Sequence, residues 1–399
     1  MAKRKFSLPG IHELSKEQEE ARALPQKGQH LIIGGPGTGK SVVALLRARR
    51  HHEDKSDYVF LVYNRLLHHA SFHLFGPELI SITLHRWYSS KFPEMTGKSV
   101  PLMPSLPGNS WQDIDWVKVT EYVAGSEPSI RLQSLIIDEG QDMPKEFYVS
   151  LVNLGFENFY VVADQNQQII PGSNSSRQDI ENALDIATDE VVELRMNHRN
   201  SYPIARLARE FYTGDPATPP PELPSINRSA NRPILVEYGV SIRYRYRFHK
   251  VIDAILKTAD RDPSKLLGII APNNDVRVRY VNELKSHLAE LKLDNGKPLI
   301  QTYKSGDEGQ LAFDEGGIMV INAQSCKGLE FDTVFLADID QHHCNHAQQE
   351  VKRRLFYVMV ARARDHVIML RNADNPCPVM DILPNDSDIL DRIGVVEDE

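Results

Sequence analysis

The chain has 399 residues, 41% of them hydrophobic and 25% charged, with a formal net charge of −8. That length supports ample core and two domains, and the acidic balance confines any nucleic-acid contact to local basic positions and backbone amides. No apolar run approaches the roughly 18 residues of a membrane span, the basic start from Met1 to Phe6 lacks a signal-like apolar region, and Cys326, Cys344 and Cys377 are too scattered for a disulfide framework, so the expected location is a reducing cytoplasm.

In chain order, the first predicted element is a short buried strand, Gln29-His30-Leu31-Ile32-Ile33. It runs into Gly34-Gly35-Pro36-Gly37-Thr38-Gly39-Lys40-Ser41, followed by helical Val42-Val43-Ala44-Leu45-Leu46. A glycine-rich turn between strand and helix is a phosphate cradle. Gly34, Gly37 and Gly39 let the backbone approach without Cβ obstruction, and the helix dipole favours anions at that end. Gly35, Gly37, Thr38, Gly39, Lys40 and Ser41 are therefore candidate nucleotide contacts. Lys40 reaches the β- and γ-phosphates, and Ser41 offers a hydroxyl to Mg²⁺.

Phe60-Leu61-Val62-Tyr63, Leu79-Ile80-Ser81-Ile82, Leu135-Ile136-Ile137 and Phe159-Tyr160-Val161-Val162-Ala163 continue the buried-strand pattern, as in a parallel sheet with crossover helices. The stretch from Pro93 to Glu127, with Trp111 and Trp116, reads equally as a small inserted subdomain or a surface loop. The third of these strands leads into Asp138-Glu139-Gly140-Gln141-Asp142. Two acidic residues ending a strand in a P-loop protein complete an ATPase centre, Asp138 holding the metal and Glu139 polarising water.

Prolines crowd between Thr213 and Pro224, an extended connector that need not mark a domain boundary. Beyond it, Leu266-Leu267-Gly268-Ile269-Ile270, Ile318-Met319-Val320-Ile321 and Thr333-Val334-Phe335-Leu336 predict a second α/β domain. Between these regions Arg243-Tyr244-Arg245-Tyr246-Arg247-Phe248-His249-Lys250 interleaves cations and aromatics. It is read as the opening turns of an amphipathic helix capped by Ser241, in preference to a nucleic-acid contact. His342-His343-Cys344-Asn345-His346 is read as a polar loop, because no second ligand pair stands at finger-like spacing.

With this P-loop followed by Asp-Glu-X-Gln-Asp, the chain resembles the UvrD/Rep/PcrA class of superfamily 1 helicases. The other motifs follow in that family's order. Leu14-Ser15-Lys16-Glu17-Gln18 resembles the Q motif, which implies that Gln18 reads adenine. Val62-Tyr63-Asn64-Arg65 and Thr83-Leu84-His85 are similar to strand-contacting segments, implying nucleic-acid contacts at Asn64, Thr83 and His85. Ala163-Asp164-Gln165-Asn166-Gln167 resembles motif III, with Gln167 as the coupling glutamine. Leu194 to Asn200 resembles motif IV, with Arg199 as a phosphate-sensing arginine. Gln324 to Phe331 resembles motif V, with Glu330 near the ribose, and Arg353 to Ala363 resembles motif VI, with Arg362 as the arginine finger.

The resemblance implies two RecA-like P-loop NTPase domains of α/β class with parallel sheets and minimal insertions: residues 1–200, with a small insertion near 92–130, and residues 201–399. It implies ATP and Mg²⁺ as cofactors and single-stranded DNA as partner, RNA remaining open, for a translocase that hydrolyses ATP. Two departures set the alternative. The chain reads Gln168-Ile169-Ile170-Pro171-Gly172 where relatives place a base-stacking aromatic, leaving Tyr63, Trp87 or Tyr88 to substitute, and there is no room for the large second insertion. The alternative is an ATP-gated subunit that controls a partner effector, such as a nuclease or a defence-system component, without unwinding by itself.

Overall fold

The computed structural model describes residues 8–63, 65–104, 112–124, 129–164, 174–213, 219–225, 231–303, 311–344 and 348–395, with backbone only at 11 and 65–67. The chain divides between Arg195 and Met196 into two units. In the first, α1 (Lys16–Ala23), β1 (Gln29–Gly34), α2 (Lys40–Glu53), β2 (Tyr58–Val62), α3 (Arg65–Phe75), β3 (Ser81–Thr83) and α4 (Leu84–Thr96) are followed by α5 (Trp116–Val123), β4 (Arg131–Ile137), α6 (Lys145–Asn153), β5 (Phe156–Ala163), α7 (Arg177–Leu184) and β6 (Val192–Leu194). Every strand pairing is parallel, in the order β3-β2-β4-β5-β1-β6.

The central strands carry apolar runs, Leu31–Ile33, Val59–Val62, Leu135–Ile137 and Phe159–Ala163, because both sheet faces are covered there. Alternate residues go to opposite sides: Leu31, Leu61, Leu135 and Val161 join the core beneath α4 to α7, while Ile32, Phe60, Ile136 and Val162 join the core beneath α1 and α2. Residues 92–104 and 112–124 extend the first core. Trp116 meets Tyr88 edge-on at 4.9 Å and Phe147 at 5.6 Å. Trp111 lies outside the described residues.

The second unit comprises α8 (Tyr202–Glu210), β7 (Ile234–Tyr238), α9 (Phe248–Arg261), β8 (Leu266–Ala271), α10 (Asn274–Glu290), β9 (Ile300–Thr302), β10 (Gly317–Asn322), β11 (Phe331–Leu336), α11 (Gln349–Val360), β12 (Ala363–Asn372) and β13 (Asp391–Ile393). Its sheet is also all-parallel, in the order β13-β7-β12-β11-β8-β10-β9. Two parallel sheets flanked by helices make this a mixed α/β fold of the kind expected for two RecA-like domains. The described prolines 219–221 and 224 fall inside the second unit.

One predicted helix starts later than its composition suggested. Residues 243–247 are not helical; α9 begins at Phe248, with Arg247 as its cap residue and no helical cap at Ser241. Tertiary pairing takes that backbone instead. Gly239 N donates to Tyr246 O at 3.2 Å, Tyr244 bridges Val395, and the Arg247 guanidinium donates to Gly239 O and Ser241 O at 2.5 and 2.9 Å.

Among the described residues no helix is long and apolar enough to cross a membrane, no group of three or more His, Cys, Asp or Glu stands ready for a metal, and the cysteines are free thiols. His342 is buried against Phe356, and burial holds its imidazole well below the usual range.

Two of the candidate base platforms belong to the core: Trp87 and Tyr88 are 3% and 0% exposed, and Tyr88 donates its hydroxyl to Ser150 Oγ at 2.9 Å. Tyr88→Phe should therefore lower unfolding free energy by about 1 kcal/mol in urea titration and leave strand affinity unchanged. Weaker strand binding at unchanged stability would return Tyr88 to the interface.

Candidate nucleotide and nucleic-acid site

In the first unit the predicted residues gather at the carboxyl ends of the strands, where open parallel sheets place their ligand crevices. β1 ends at Gly34 and α2 starts at Lys40, so the loop between them presents amides at a helix N-terminus. Gly39, the cap residue, sits in left-handed space at φ 92°, and a Cβ there would lie 2.3 Å from Gln18 Nε2. Composition, geometry and a neighbour thus all require glycine. Thr38 Oγ1 and Lys40 Nζ both donate to Gly35 O, each at 2.8 Å.

The helix bearing Gln18 is fixed onto this loop. Ser15 and Gln18 form a reciprocal capping box, and Gln18 Nε2 donates to Thr38 O at 2.9 Å. Arg47 of α2 donates to Leu24 O at 2.7 Å and to Pro25 O at the other end of α1, its guanidinium 4.8 Å above the Tyr160 ring. Glu17 accepts from Arg195 N at 2.7 Å. Gln18 is accordingly buried on the P-loop, its carboxamide shared between Ser15 N and Thr38 O.

The catalytic candidates form a chain of contacts. Lys40 Nζ pairs with Asp164 Oδ2 at 3.1 Å, with both side chains buried. Asp164 N donates to Gln141 Oε1 at 2.8 Å, and Gln141 Nε2 donates to Glu139 Oε2 at 2.6 Å. Glu139 occupies left-handed backbone space at φ 56°, a costly conformation for a non-glycine residue. Asp138 accepts from Glu139 N at 2.9 Å through one oxygen, while its Oδ2 is buried with no hydrogen-bond partner among the described residues. Burial and then the adjacent Glu139 carboxylate push Asp138 well above the usual carboxylate range, with the Ser41 hydroxyl and Lys40 ammonium pulling it back.

Asp138, Glu139 and Asp164 thus share a dry edge with Lys40, an excess of negative charge that a hard divalent cation would balance. An orphaned carboxylate oxygen beside a serine hydroxyl is a donor set that suits Mg²⁺. Ser41 and Asp138 fit that role.

Tyr63, Thr83 and His85 adjoin the ends of β2 and β3, where Val62 is in register with Thr83. The Tyr63 and His85 rings are 6.3 Å apart, and burial lowers the His85 pKa against the opposing pull of Asp113. Asn64 and Gln167 lie outside the described residues.

In the second unit, motifs IV, V and VI meet. Arg199 Nε donates to Glu330 Oε2 at 3.1 Å, and Arg364 stands 3.6 Å from Glu330 Oε1. Asn197 Oδ1 accepts from the amides of Arg199 and Asn200, and Asn200 Nδ2 donates to Ala361 O and Ala363 O at 3.2 and 2.5 Å. Arg362 is 2% exposed, its guanidinium donating to Val358 O at 3.0 Å and Leu329 O at 3.3 Å. The structure pairs Arg199 with Glu330 and turns the Arg362 guanidinium to backbone carbonyls, one of them that of Leu329 next to Glu330.

Residues 317–370 match the family model of the UvrD-like helicase C-terminal domain. That span runs from β10 into β12 and contains Glu330, Arg362 and Arg364. The UvrD-like resemblance is thus borne out across motifs V and VI. No curated protein matches it. Among solved structures, the C-terminal domain of a possible DNA helicase from Lactobacillus plantarum WCFS1 is similar, with 18% identity, 49% of this chain and 97% of that chain covered, and a TM-score of 0.33.

Sequence reasoning passed over Gln141, Asp164, Asn197, Asn200 and Arg364 as working residues. Their signal was present as polar side chains inside the UvrD-like motifs, but only the fold shows what each one holds. Gly39→Ala should lower unfolding free energy by about 1 to 3 kcal/mol and abolish binding of a fluorescent ATP analogue, since both the left-handed backbone and the Gln18 contact fail. Retained binding in a fluorescence titration would contradict the cradle geometry.

Proposed function

We propose that this chain is an ATP- and Mg²⁺-dependent translocase of the superfamily 1 helicase type that acts on single-stranded DNA. The observation that carries this reading is the buried run from Lys40 through Asp164 and Gln141 to Glu139, beside the unpartnered oxygen of Asp138. Bound ATP would supply the phosphoanhydride and Mg²⁺ the neutralising charge. Gln18, Gly35, Gly37, Thr38, Gly39 and Glu330 would contact the nucleotide, with Ser41 and Asp138 holding the metal.

In this reading Glu139 takes a proton from the attacking water, and Gln141 keeps its carboxylate in one orientation. Lys40, Arg199 and Arg362 stabilise the charge that develops on the transferred phosphoryl group. Gln167 couples that event to the strand, which Asn64, Thr83 and His85 contact. Tyr63, half-buried beside His85, is the candidate stacking residue left by the burial of Trp87 and Tyr88.

A second reading, an ATP-gated subunit that controls a partner nuclease or similar effector, is favoured by Arg362. Its guanidinium is engaged by carbonyls of its own unit, so its release is a step that a partner could govern.

Glu139→Gln should retain Mg·ATP binding while cutting turnover at least about a hundredfold, as measured by phosphate release. Hydrolysis at the parent rate would remove Glu139 from its role. Arg362→Ala should still bind nucleotide and strand yet lose about 10³-fold or more in rate. For the unaltered chain, single-stranded DNA should stimulate hydrolysis, and a block at the end of a tailed strand should be displaced. Hydrolysis indifferent to strand and active only beside a partner would select the switch.

A further inference from the structure

The edge of the second sheet carries a groove that the proposed reaction does not use. Ile368 is in register with Ile234, and Ile393 with Val236, so these four side chains share one face of β7, β12 and β13. Their neighbours on the opposite face, Leu235, Val367 and Met369, are 0%, 1% and 0% exposed, whereas the four remain half-exposed. Helix α9 packs over this face, where Tyr238 and Leu370 are buried and Val236 and Ile368 sit partly covered at the margin of the core. The resulting cavity, about 660 Å³, is walled on one side by α9 and floored by β7 and β12.

Its charge has one sign. Arg232, Arg245, Lys250 and Arg261 line it, and no described lining residue is acidic. In a chain of net charge −8, that concentration of cations is a local feature. Arg232 meets Asp388 in an ion pair whose side chains are 58% and 74% exposed, which screens it strongly, and Lys250 stands 3.9 Å from Asp253. These surface pairings leave the rim available to carboxylates.

The apolar surface also continues past the cavity. Tyr244 bridges Val395, and Arg245 N donates to Gly394 O at 2.8 Å, which sets Val395, 55% exposed, beside the rim. Val240 and Ile242, on the loop leading to Arg245, are 83% and 90% exposed. A single alkyl anion would fill the cavity and leave this strip bare. β13, moreover, is the outermost strand, with no partner on its outer edge among the described residues.

We propose that this groove docks an acidic segment of a partner protein, seating apolar side chains on Ile234, Val236, Ile368 and Ile393 and carboxylates on the surrounding cations. Apolar anchors give such a contact its affinity, and the charge rim selects among partners. The nucleotide chemistry proposed above is not needed for this docking.

The test uses the full chain and a fluorescein-labelled peptide alternating leucine with glutamate, followed by fluorescence anisotropy, with a leucine-lysine counterpart as control. The chain should bind the first peptide and not the second. The Arg245→Glu, Lys250→Glu double variant, altered only at exposed positions, should keep its thermal midpoint and weaken binding at least about tenfold. Ile393→Gln, on the half-exposed edge, should weaken it several-fold through the apolar floor. Absence of binding, equal binding of both peptides, or unchanged affinity in the double variant would overturn the proposal. Binding of dodecanoate without the peptide would assign the cavity to a small amphipathic anion instead, and loss of strand-stimulated hydrolysis in the double variant without peptide binding would assign the surface to nucleic acid.

Discussion

The first unit is organised around one buried ion pair, Lys40 with Asp164. Taking both charges out of water is costly, and removing either partner would leave the other stranded at a cost of about 3 to 5 kcal/mol. The pair therefore constrains everything near it. It fixes the end of β5 against the P-loop, and the Asp164 amide in turn orients Gln141, whose carboxamide holds Glu139. Motifs apart in sequence become one hydrogen-bonded assembly because polar groups in this dry edge satisfy one another, Asp138 Oδ2 excepted.

Beside that pair stand Gly140 and the strained Glu139. Gly140 sits where a Cβ would lie 2.4 Å from Val161 Cγ1 and 2.8 Å from the Tyr148 hydroxyl, which donates to Gly140 O. The turn after β4 is pressed onto β5, and Glu139 is forced into left-handed space to turn into the site. Strain at such a position persists only where surrounding contacts over-determine it, and here the Gln141 bridge and the Asp138 cap do so.

In the second unit an acidic residue takes the organising part. Glu330 gathers Arg199 and Arg364, while Asn200 ties the turn before α8 to the backbone around Arg362. Arg199 and Arg364 form one local group of cations in this acidic chain, and Arg232, Arg245, Lys250 and Arg261 at the half-covered sheet edge form another. Local clusters give short-range recognition in a chain whose global field is unfavourable to polyanions.

The sequence alone determined the two parallel sheets, the P-loop and the acidic strand end, because each depends on short local patterns: unbroken apolar runs for doubly covered strands, and glycines where phosphates and backbone must come close. It did not reveal β12, whose Ala363–Asn372 run mixes Arg, Asp and His with apolar residues, or the three-residue strands β6, β9 and β13, which carry no periodic signal. Nor did it place the start of α9, since the aromatic and cationic residues before Phe248 suit a helix turn by composition and were claimed by pairing with Tyr238 and Val395. The partners of Lys40, Gln141 and Glu330, and the half-covered edge of the second sheet, were decided only by tertiary structure. Lys40–Asp164 and Arg199–Glu330 join residues more than a hundred positions apart, the Gln141 bridge depends on the turn after β4 meeting the end of β5, and the sheet edge follows from where a helix stops over it, so no local pattern encodes them.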